Sequence, residues 1–374
     1  MESLVKIVKR HLHEYPLIQP QDLIKLIYQA EFGPGHLIQN PLHSRQMLIE
    51  EYHSINHKVN HTMSHSHIEN IGNGLARFYL DTIPEEYLDA LNLMFVKTAE
   101  KRFYKHNIQE YQDKLDLLLT HFEELGCSFS KKDLFDYISQ HKEQGFPMVR
   151  HSAKYRDAYQ PAYRVTDERY IPYIKLIAAI LKQQEINQHS KQATRLIIGI
   201  DGNCASGKST LALLLLELFD AQVIHMDDFF LPPNLRTPKR FEIPGQNVHY
   251  ERFLTEVVNP LKQMMPTFEY RPFSCKTMNY ENTRRIDGTK MIIIEGAYSM
   301  RPDIREIYDL KVFLQIDQDL QMQRIMKRNG PEMSENFKNK WIPMENKYFE
   351  YDQIRDICDL VYETGEHMKS VLKI

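Results

Sequence analysis

The chain has 374 residues, of which 42% are hydrophobic and 26% charged, and its formal net charge is −3. This length predicts two domains, or three, with a large buried core. The near-neutral charge excludes a bulk electrostatic attraction to nucleic acid or to an anionic membrane. No apolar run reaches the roughly 20 residues of a membrane span, no secretory signal opens the chain, and four scattered cysteines without a CxxC pair favour a reducing, cytoplasmic setting.

The first half of the chain has the apolar spacing and the capping residues of a mainly α-helical domain. Leu88, Leu91 and Phe95 recur at helical spacing behind Pro84, which suits the first turn of a helix. Ser130 is a capping residue at the start of a later helical pattern. The predicted helices span residues 84–103, 107–126, 130–145 and 168–184.

Two polar segments of the first half leave alternatives open. His57, His61 and His65 would share one face of a helix and, with His67, could form a metal site. No Cys, Asp or Glu joins them within the run, so a solvated loop is the alternative. Residues 149–164 interleave basic and aromatic side chains, as nucleic-acid contacts do, but the net charge favours an interdomain face or a small-anion pocket. We expect no nucleic-acid or membrane partner, and the oligomeric state stays open, a homo-oligomer included.

The second half alternates short apolar runs with helical patterns, which predicts an α/β fold with a mostly parallel sheet covered on both faces. A polar segment at residues 183–195 precedes the first strongly apolar run. We therefore predict a mainly helical domain of residues 1–185, whose role the sequence leaves open, and an α/β domain of residues 186–374. The predicted strands span residues 196–201, 222–226, 291–295, 311–316 and 358–362.

The stretch "GNCASGKS", residues 202–209, matches the phosphate-loop pattern G-x-x-x-x-G-K-[ST] between an apolar strand and an apolar helix. Gly202 permits a tight exit from the strand, and Gly207 permits the backbone to wrap an anion. Lys208 supplies a charge toward the β- and γ-phosphates, and Ser209 supplies a hydroxyl ligand for Mg²⁺. The alternative is a glycine-rich turn that opens a core helix. The predicted nucleotide-binding residues are Gly202, Asn203, Cys204, Ala205, Ser206, Gly207, Lys208, Ser209 and Thr210.

Carboxylates end two further predicted strands. Asp227 and Asp228 follow the strand at 222–226, and ligands of open parallel sheets bind beyond the carboxyl ends of the strands. We predict that Asp227 takes the proton of an acceptor hydroxyl and that Asp228 helps to hold Mg²⁺; helix N-caps are the alternative. Glu295 ends the strand at 291–295 and is predicted to contact Mg²⁺ directly or indirectly, with a surface-facing strand end as the alternative.

Two arginines in "QMQRIMKRNG" lie four residues apart and hence on one helix face. Arg324 and Arg328 are predicted to lie on a lid and to neutralise the charge of a transferring phosphoryl group. A solvated basic helix end is the alternative.

With these motifs the second half resembles the uridine kinase / phosphoribulokinase / bacterial pantothenate kinase family of P-loop small-molecule kinases. The resemblance spans roughly residues 195–364 and rests on the phosphate loop, "MDDFF", "IIIEGAY" and "VFLQIDQDLQMQRIMKRN". It implies a P-loop NTPase fold of three layers and a kinase that uses ATP and Mg²⁺. It also implies that Asp227 is the catalytic base, that Glu295 is the glutamate closing the third strand, and that Arg324 and Arg328 are lid arginines.

The acceptor half of the motif set departs from uridine kinases, which carry a tyrosine-aspartate-phenylalanine stretch followed by a histidine. The comparable place here reads "FEYRPFSCKTM", without a histidine. Tyr250, Tyr270 and Arg271 are the candidate acceptor contacts, and packing is the alternative for each. Uridine or cytidine is the nominal acceptor by resemblance, while pantothenate, a sugar phosphate or glycerate stays open. The rival hypothesis is an ATP-hydrolysing regulatory protein whose helical half is the output domain.

Overall fold

A computed structural model describes five stretches of the chain, residues 4–34, 40–55, 68–102, 107–189 and 195–365. The histidine run that contains His57, His61, His65 and His67 lies outside them, so the predicted alternatives for that run stay open. The described residues divide into two compact units, the first ending at Ala178 and the second beginning at Ala179. In the described stretches, no helix combines the length and the apolar character that crossing a bilayer requires.

The first unit is mainly helical, as the sequence predicts. Ser130 caps a helix by accepting a hydrogen bond from the backbone N–H of Asp133, and Gly126 ends another in the left-handed conformation. The predicted helix at 107–126 is broken at His121, where the backbone leaves helical geometry. The helices are α1 Leu4–Glu14, α2 Pro20–Phe32, α3 Pro41–Ser54, α4 Leu88–Arg102, α5 Ile108–Thr120, α6 Phe122–Leu125, α7 Lys131–Glu143, α8 Ala153–Tyr159 and α9 Ile174–His189.

Helix α9 continues into the polar segment in which the domain boundary is predicted. The division between the two units falls inside this helix, and the polar segment 183–195 is helical as far as His189. Residues 183–189 include three glutamines and a glutamate, which are good helix formers even without an apolar face. The boundary at residues 185 and 186 stays a prediction.

A three-stranded antiparallel sheet in the first unit was not predicted. Its strands are β1 Ile68–Gly72, β2 Leu75–Tyr79 and β3 Tyr163–Asp167, in the order β1-β2-β3. Asn73 and Gly74 join the first two strands, and both have positive φ. An Asn-Gly pair between short strands is a strong sequence signal for a hairpin turn, so this hairpin was detectable. The third strand is distant from β2 in sequence, and no local signal indicates their pairing.

The core of the first unit contains a polar network as well as apolar side chains from α1, α2, α5 and α7. Glu69 on β1 and Arg77 on β2 form a buried ion pair with an Oε2–Nη1 distance of 3.1 Å. His11 on α1 and the Tyr79 hydroxyl also hydrogen-bond to Glu69, at 2.5 and 2.8 Å. Gln29 on α2 accepts two hydrogen bonds from Arg77. The hydrogen bonds satisfy charges whose burial would otherwise be costly.

The second unit contains a five-stranded parallel sheet in the order β12-β11-β4-β10-β5, which confirms the predicted α/β fold. Four of its strands lie within one residue of the predicted bounds, and the last lies two residues later than predicted. Two small antiparallel pairs, β6 with β9 and β7 with β8, lie between β5 and β10 in sequence. The strands are β4 Ile197–Gly202, β5 Ala221–His225, β6 Thr267–Tyr270, β7 Phe273–Ser274, β8 Asn279–Tyr280, β9 Arg284–Asp287, β10 Met291–Glu295, β11 Leu310–Ile316 and β12 Leu360–Thr364.

The position of β4 in this sheet determines where a ligand can bind. Because β4 lies between β10 and β11, its carboxyl end opens onto a place reached by residues from both neighbours. Helix α10 follows β4 and packs against β4, β5 and β10. The helices of this unit are α10 Lys208–Leu218, α11 Pro238–Glu242, α12 Tyr250–Phe253, α13 Asn259–Lys262, α14 Gln318–Asn336 and α15 Ile342–Tyr351.

Candidate active site

The loop between β4 and α10 has the backbone conformation that the sequence predicts. Gly202 has φ 139°, and a Cβ there would lie 2.1 Å from the carbonyl oxygen of Leu314 on β11, so only glycine fits. Gly207 is the N-cap of α10 with φ 102°. Because glycine has no side chain, no side-chain cap satisfies the first N–H groups of the helix. These groups and the helix dipole make the start of α10 a place for an anion.

Lys208 is a buried cation at this loop. Its ammonium donates to the carbonyl oxygens of Gly202 and Asn203, at 2.8 and 2.9 Å, and no carboxylate of the described residues forms an ion pair with it. The hydroxyl of Ser206 in the same loop is also buried and has no hydrogen-bond partner. A buried ammonium whose hydrogen bonds go to backbone carbonyls, in the same loop as an unsatisfied hydroxyl, fits a polyphosphate. The loop residues present therefore fit the nucleotide that the sequence predicts.

One carboxylate oxygen of Glu295 is contacted by both Ser209 and His225. Glu295 is buried at the end of β10, and its Oε1 accepts a hydrogen bond from the Ser209 hydroxyl at 3.0 Å. The Nδ1 atom of His225 lies 2.5 Å from the same oxygen, and this contact raises the pKa of the imidazole against the opposing effect of burial. No sequence motif singled out His225. It is the residue that pairs with Glu295 in the β5–β10 register, which a strand alignment could have suggested.

Asp227 follows β5 in a short 3₁₀ turn, Met226–Phe229. Its side chain is open to solvent but is enclosed by protein on most sides, and this enclosure raises the pKa of its carboxyl. The Lys208 ammonium opposes that shift, whereas the Glu295 carboxylate adds to it. The charges of the loop lysine and of the β10 glutamate therefore both act on Asp227. This is the proximity that a catalytic base needs, and the assignment as base stays a prediction.

Asp228 has partners that the sequence did not indicate. Its Oδ2 accepts hydrogen bonds from the Tyr270 hydroxyl at 2.8 Å and from Arg284 Nη1 at 2.9 Å. The Tyr270 ring packs 5.2 Å from that of Phe229 in the turn after β5. The structure thus joins a predicted metal ligand to a predicted acceptor contact, and it adds Arg284 on β9. Because Arg284 neutralises Asp228, we favour a place on the acceptor side for this carboxylate.

The two other candidate acceptor contacts hydrogen-bond to backbone carbonyls outside this cluster. Tyr250 is 3% exposed, and its hydroxyl donates to the carbonyl oxygen of Tyr298 at 2.8 Å. The guanidinium of Arg301 lies over the Tyr250 ring. These contacts favour the packing alternative for Tyr250. Arg271 is exposed, and its Nε donates to the carbonyl oxygen of Glu281 at 2.8 Å.

The two predicted lid arginines lie on α14 but make different contacts. Arg324 Nη1 donates to the carbonyl oxygen of Ala205 in the phosphate loop at 3.1 Å. Arg328 is exposed, donates to the side chain of Asn329, and lies over the Phe337 ring. The helix is interrupted at Gly330, where φ is 80°. In this conformation Arg324 is the arginine that contacts the phosphate loop.

Helix α15 brings two residues to the phosphate loop and to the strand end before it, and the sequence analysis assigned neither of them a role. The Oε2 atom of Glu345 accepts a hydrogen bond from the backbone N–H of Cys204 at 2.9 Å. The hydroxyl of Tyr348 donates to Oδ2 of Asp201, the residue before Gly202, at 2.8 Å. Burial raises the pKa of Glu345 to about 7 and that of Asp201 to about 6.

The donor set at the loop suits Mg²⁺ held jointly with phosphates. Among the described residues, no three His, Cys, Asp or Glu side chains come together as a self-sufficient metal site. Mg²⁺ usually keeps several waters and takes one or two protein ligands beside substrate phosphates. The Ser209 hydroxyl and the Glu295 carboxylate are oxygen donors of that kind. They are therefore the residues that fit the ion.

A parallel sheet whose central strand leads into a Gly-x-x-x-x-Gly-Lys-Ser loop and a helix is the arrangement of P-loop proteins. The model of the phosphoribulokinase / uridine kinase family matches residues 245–335. The uridine kinase of Clostridium perfringens (strain SM101 / Type A) is 25% identical over 197 residues, which cover 48% of this chain and 92% of that kinase. The predicted resemblance of the second half to this family is therefore confirmed.

Two further proteins illustrate the range of the similarity. Uridine kinase-like protein 4 of Arabidopsis thaliana is 28% identical over 161 residues, which cover 41% of this chain and 34% of the plant protein. A solved structure from Bacillus stearothermophilus, described as a "Possible Uridine Kinase", is 24% identical, with a TM-score of 0.37. It covers 50% of this chain and 98% of its own.

Proposed function

We propose that the second unit is an ATP-dependent small-molecule kinase that transfers the γ-phosphoryl group of Mg·ATP to a hydroxyl. The observation that carries the proposal is the pair formed by Lys208 and Asp227. Lys208 is a buried cation whose ammonium donates to backbone carbonyls of the phosphate loop, which supports an anion site there. Asp227 has a raised pKa and lies close enough for the Lys208 charge to act on it. The similarity to uridine kinases supports uridine or cytidine as the acceptor, with other hydroxyl metabolites open.

Each residue has a definite part in the proposed transfer. The bound nucleotide and its metal supply the phosphoryl group and a divalent charge. The acceptor oxygen forms a bond to the γ-phosphorus, the bond from this phosphorus to the bridging oxygen breaks, and ADP is released. Asp227 receives the proton of the acceptor hydroxyl. Lys208 and Arg324 stabilise charge on the transferring group, while Ser209 and Glu295 hold the metal.

In this proposal the acceptor binds next to Asp227, on the side where Asp228, Tyr270 and Arg284 lie. These three groups are hydrogen-bonded to one another, so they offer a fixed set of donors and acceptors to hydroxyl groups. The aromatic rings of Phe229 and Tyr270 lie beside them. Both rings are buried, so they support the polar groups from behind. A fixed set of polar groups suits a small ligand with several hydroxyls, which a nucleoside has.

The test uses the purified full chain with Mg·ATP and separate acceptors: uridine, cytidine, pantothenate, glycerate and a sugar phosphate. We expect ADP release that depends on one acceptor and a product heavier by one phosphoryl group. Asp227→Asn should lower turnover by about 10²–10⁴-fold while it retains nucleotide binding. Asp220→Asn, at an exposed carboxylate paired with Lys290, is the matched control and should leave turnover unchanged.

Two outcomes would contradict the proposal. ADP release with no acceptor, unaffected by any member of the panel, would favour the rival regulatory protein. Loss of nucleotide binding in Asp227→Asn would show that this carboxylate supports the nucleotide site and is not the base for an acceptor.

A further inference from the structure

The phosphate loop already holds a carboxylate from its own chain. Glu345 on α15 is 6% exposed, and its Oε2 accepts the backbone N–H of Cys204, 141 residues earlier in the chain, at 2.9 Å. A loop that is built to bind negative phosphates thus keeps a second acidic group against its backbone. Neither the phosphate-loop motif nor the proposed transfer requires this group.

The ionised form of Glu345 depends on Lys208. Burial disfavours the carboxylate, and the Lys208 ammonium is the leading influence that favours it. The hydrogen bond from Cys204 adds to this support, whereas the nearby Asp201 carboxylate weakens it. The balance raises the pKa of Glu345 to about 7. Glu345 is therefore divided between its two protonation states close to neutral pH.

Other ionisable groups face the same region from each neighbouring element. Asp201 ends the strand before the loop and accepts hydrogen bonds from Gly202, Met300 and Tyr348. Tyr298 follows β10, and the charge of Glu345 acts on its hydroxyl. Burial raises the pKa of the Tyr298 hydroxyl and that of the Cys204 thiol, so both groups stay neutral. Helix α14 contributes Arg324, which contacts the loop at the carbonyl of Ala205.

A polyphosphate in the loop would act on Glu345 in two ways. Its phosphates would pair with the Lys208 ammonium, which now stabilises the Glu345 carboxylate. They would also bring further negative charge to the loop. Both effects favour the protonated form. The protonated carboxyl can still accept the Cys204 N–H through its carbonyl oxygen, so the backbone contact need not be lost.

We propose that Glu345 takes up a proton when a nucleotide binds the phosphate loop, so that this buried carboxylate couples nucleotide affinity to pH. The inference rests on the proposed function only for the binding of a nucleotide to the loop, and it is independent of the acceptor. Glu345 acts through the loop backbone and is a positioning residue. No step of the transfer passes through it.

The direction of the pH effect follows from the two protonation states. Below the pKa of the free protein, Glu345 is already protonated, and binding takes up no proton there. Above it, binding must protonate the group, so affinity falls as pH rises from about 7 until the pKa of the complex is reached. We expect a loss of affinity of about tenfold between pH 6.5 and pH 8.5.

The experiment is isothermal titration calorimetry of the full chain with Mg·ADP, in pairs of buffers of different ionisation enthalpy. At pH 8 the wild-type protein should take up a proton on binding, and at pH 6 it should not. Glu345→Gln keeps an oxygen acceptor for Cys204 but cannot titrate. We expect this variant to bind without proton uptake, with a nearly flat pH profile, and about tenfold more tightly than wild type at pH 8.5.

Glu350→Gln is the matched control, because Glu350 is an exposed glutamate on the same helix. This variant should keep the wild-type proton uptake. Uptake that persists in Glu345→Gln would overturn the inference and point to Asp201. If that variant does not fold, the wild-type titration alone decides, since binding at pH 8 without uptake also overturns it. Nucleotide binding without uptake leaves the proposed function intact, whereas no binding at any pH ends both.

Discussion

Ser209 and Glu295, 86 residues apart in sequence, are joined by a hydrogen bond of 3.0 Å in which the hydroxyl donates. The proton of Ser209 thus points to the carboxylate, and the lone pairs of its oxygen are left for another partner. Glu295 in turn is held by His225. If Ser209 is a metal ligand, as we propose, the buried Glu295 carboxylate would orient its hydroxyl, which is a common way to fix the ligands of a metal ion.

This hydrogen bond predicts a specific effect on Mg²⁺ dependence. Glu295→Gln should raise the Mg²⁺ concentration for half-maximal nucleotide-dependent activity by about 10–100-fold, because the amide supports the ion and its hydroxyl ligand less well. Ser209→Ala should shift it in the same direction. The measurement is a Mg²⁺ titration of ADP release at saturating ATP.

The double variant of Ser209 and Glu295 is the internal control. Since the two groups act as one unit, its shift should be smaller than the product of the single shifts. Independent, fully multiplicative shifts would mean that the two side chains do not share the ion.

The two loop glycines should respond differently to alanine. Gly202→Ala would place a methyl group 2.1 Å from a backbone oxygen of β11, and neither backbone can move without disturbing the central strands. We expect loss of folded protein in the second unit. A Cβ at Gly207 would have no neighbouring atom within 4 Å, and only the φ of 102° at this residue is unfavourable.

Gly207→Ala should therefore cost about 1–3 kcal/mol and leave a folded protein with weakened nucleotide binding. Urea unfolding followed by Trp341 fluorescence measures both variants, because the single tryptophan of the chain lies in the second unit. Equal destabilisation by the two substitutions would contradict the contact with Leu314.

The buried ion pair of the first unit should be costly to break from one side. Arg77 has no exposed side-chain surface, and Glu69 is 5% exposed. Glu69→Gln leaves the guanidinium buried without a counter-charge and should lower the free energy of unfolding of this unit by about 3–5 kcal/mol. Hydrogen exchange of peptides from β1 and β2 measures the effect, since tryptophan fluorescence does not report on this unit.

The matched control is Asp89→Asn, which breaks the exposed pair between Asp89 and Arg45. A surface pair contributes about 0–1 kcal/mol, so little change is expected. Comparable losses in the two variants would show that the Glu69–Arg77 pair is less enclosed than the structure indicates.

His151 gives the first unit a predictable acid sensitivity. It hydrogen-bonds to Asp22 and Tyr163 and stacks on Tyr155. Burial lowers the pKa of His151 to about 3, against the opposing effect of the hydrogen bond that the Asp22 carboxylate accepts. In the unfolded chain this imidazole binds a proton below about pH 6.5. In the folded protein it binds one only at a much lower pH. Stability should therefore fall as pH drops from 6.5 toward 4.5.

The slope from this residue is at most about 1.4 kcal/mol per pH unit, and His151→Gln should remove it. His141, whose pKa is also lowered by burial, contributes to the slope of both proteins. Hydrogen exchange at pH 6.5, 5.5 and 4.5 gives the comparison. Parallel profiles for wild type and His151→Gln would show that the folded state protonates His151 as readily as the unfolded chain.

The sequence predicted most of what depends on neighbouring residues. The strands of the parallel sheet, the glycine positions of the phosphate loop and the position of Asp227 after β5 follow from short runs of residue types. The resemblance to the kinase family rests on the same runs. The sheet of the first unit was missed, although Asn73–Gly74 signalled its hairpin. The partners of Asp228 and the burial of Tyr250 depend on contacts that no local pattern shows.

What the sequence alone determined is a P-loop α/β unit with the loop conformation of its predicted anion site, because glycine flexibility, strand periodicity and helix capping act over a few residues. Only the tertiary structure decided which distant groups surround that site. Glu345 contacts Cys204 across 141 residues, Tyr348 contacts Asp201 across 147, and His225 meets Glu295 across 70. The pKa of a carboxylate depends on the burial and the charges around it, and these exist only once the chain has folded.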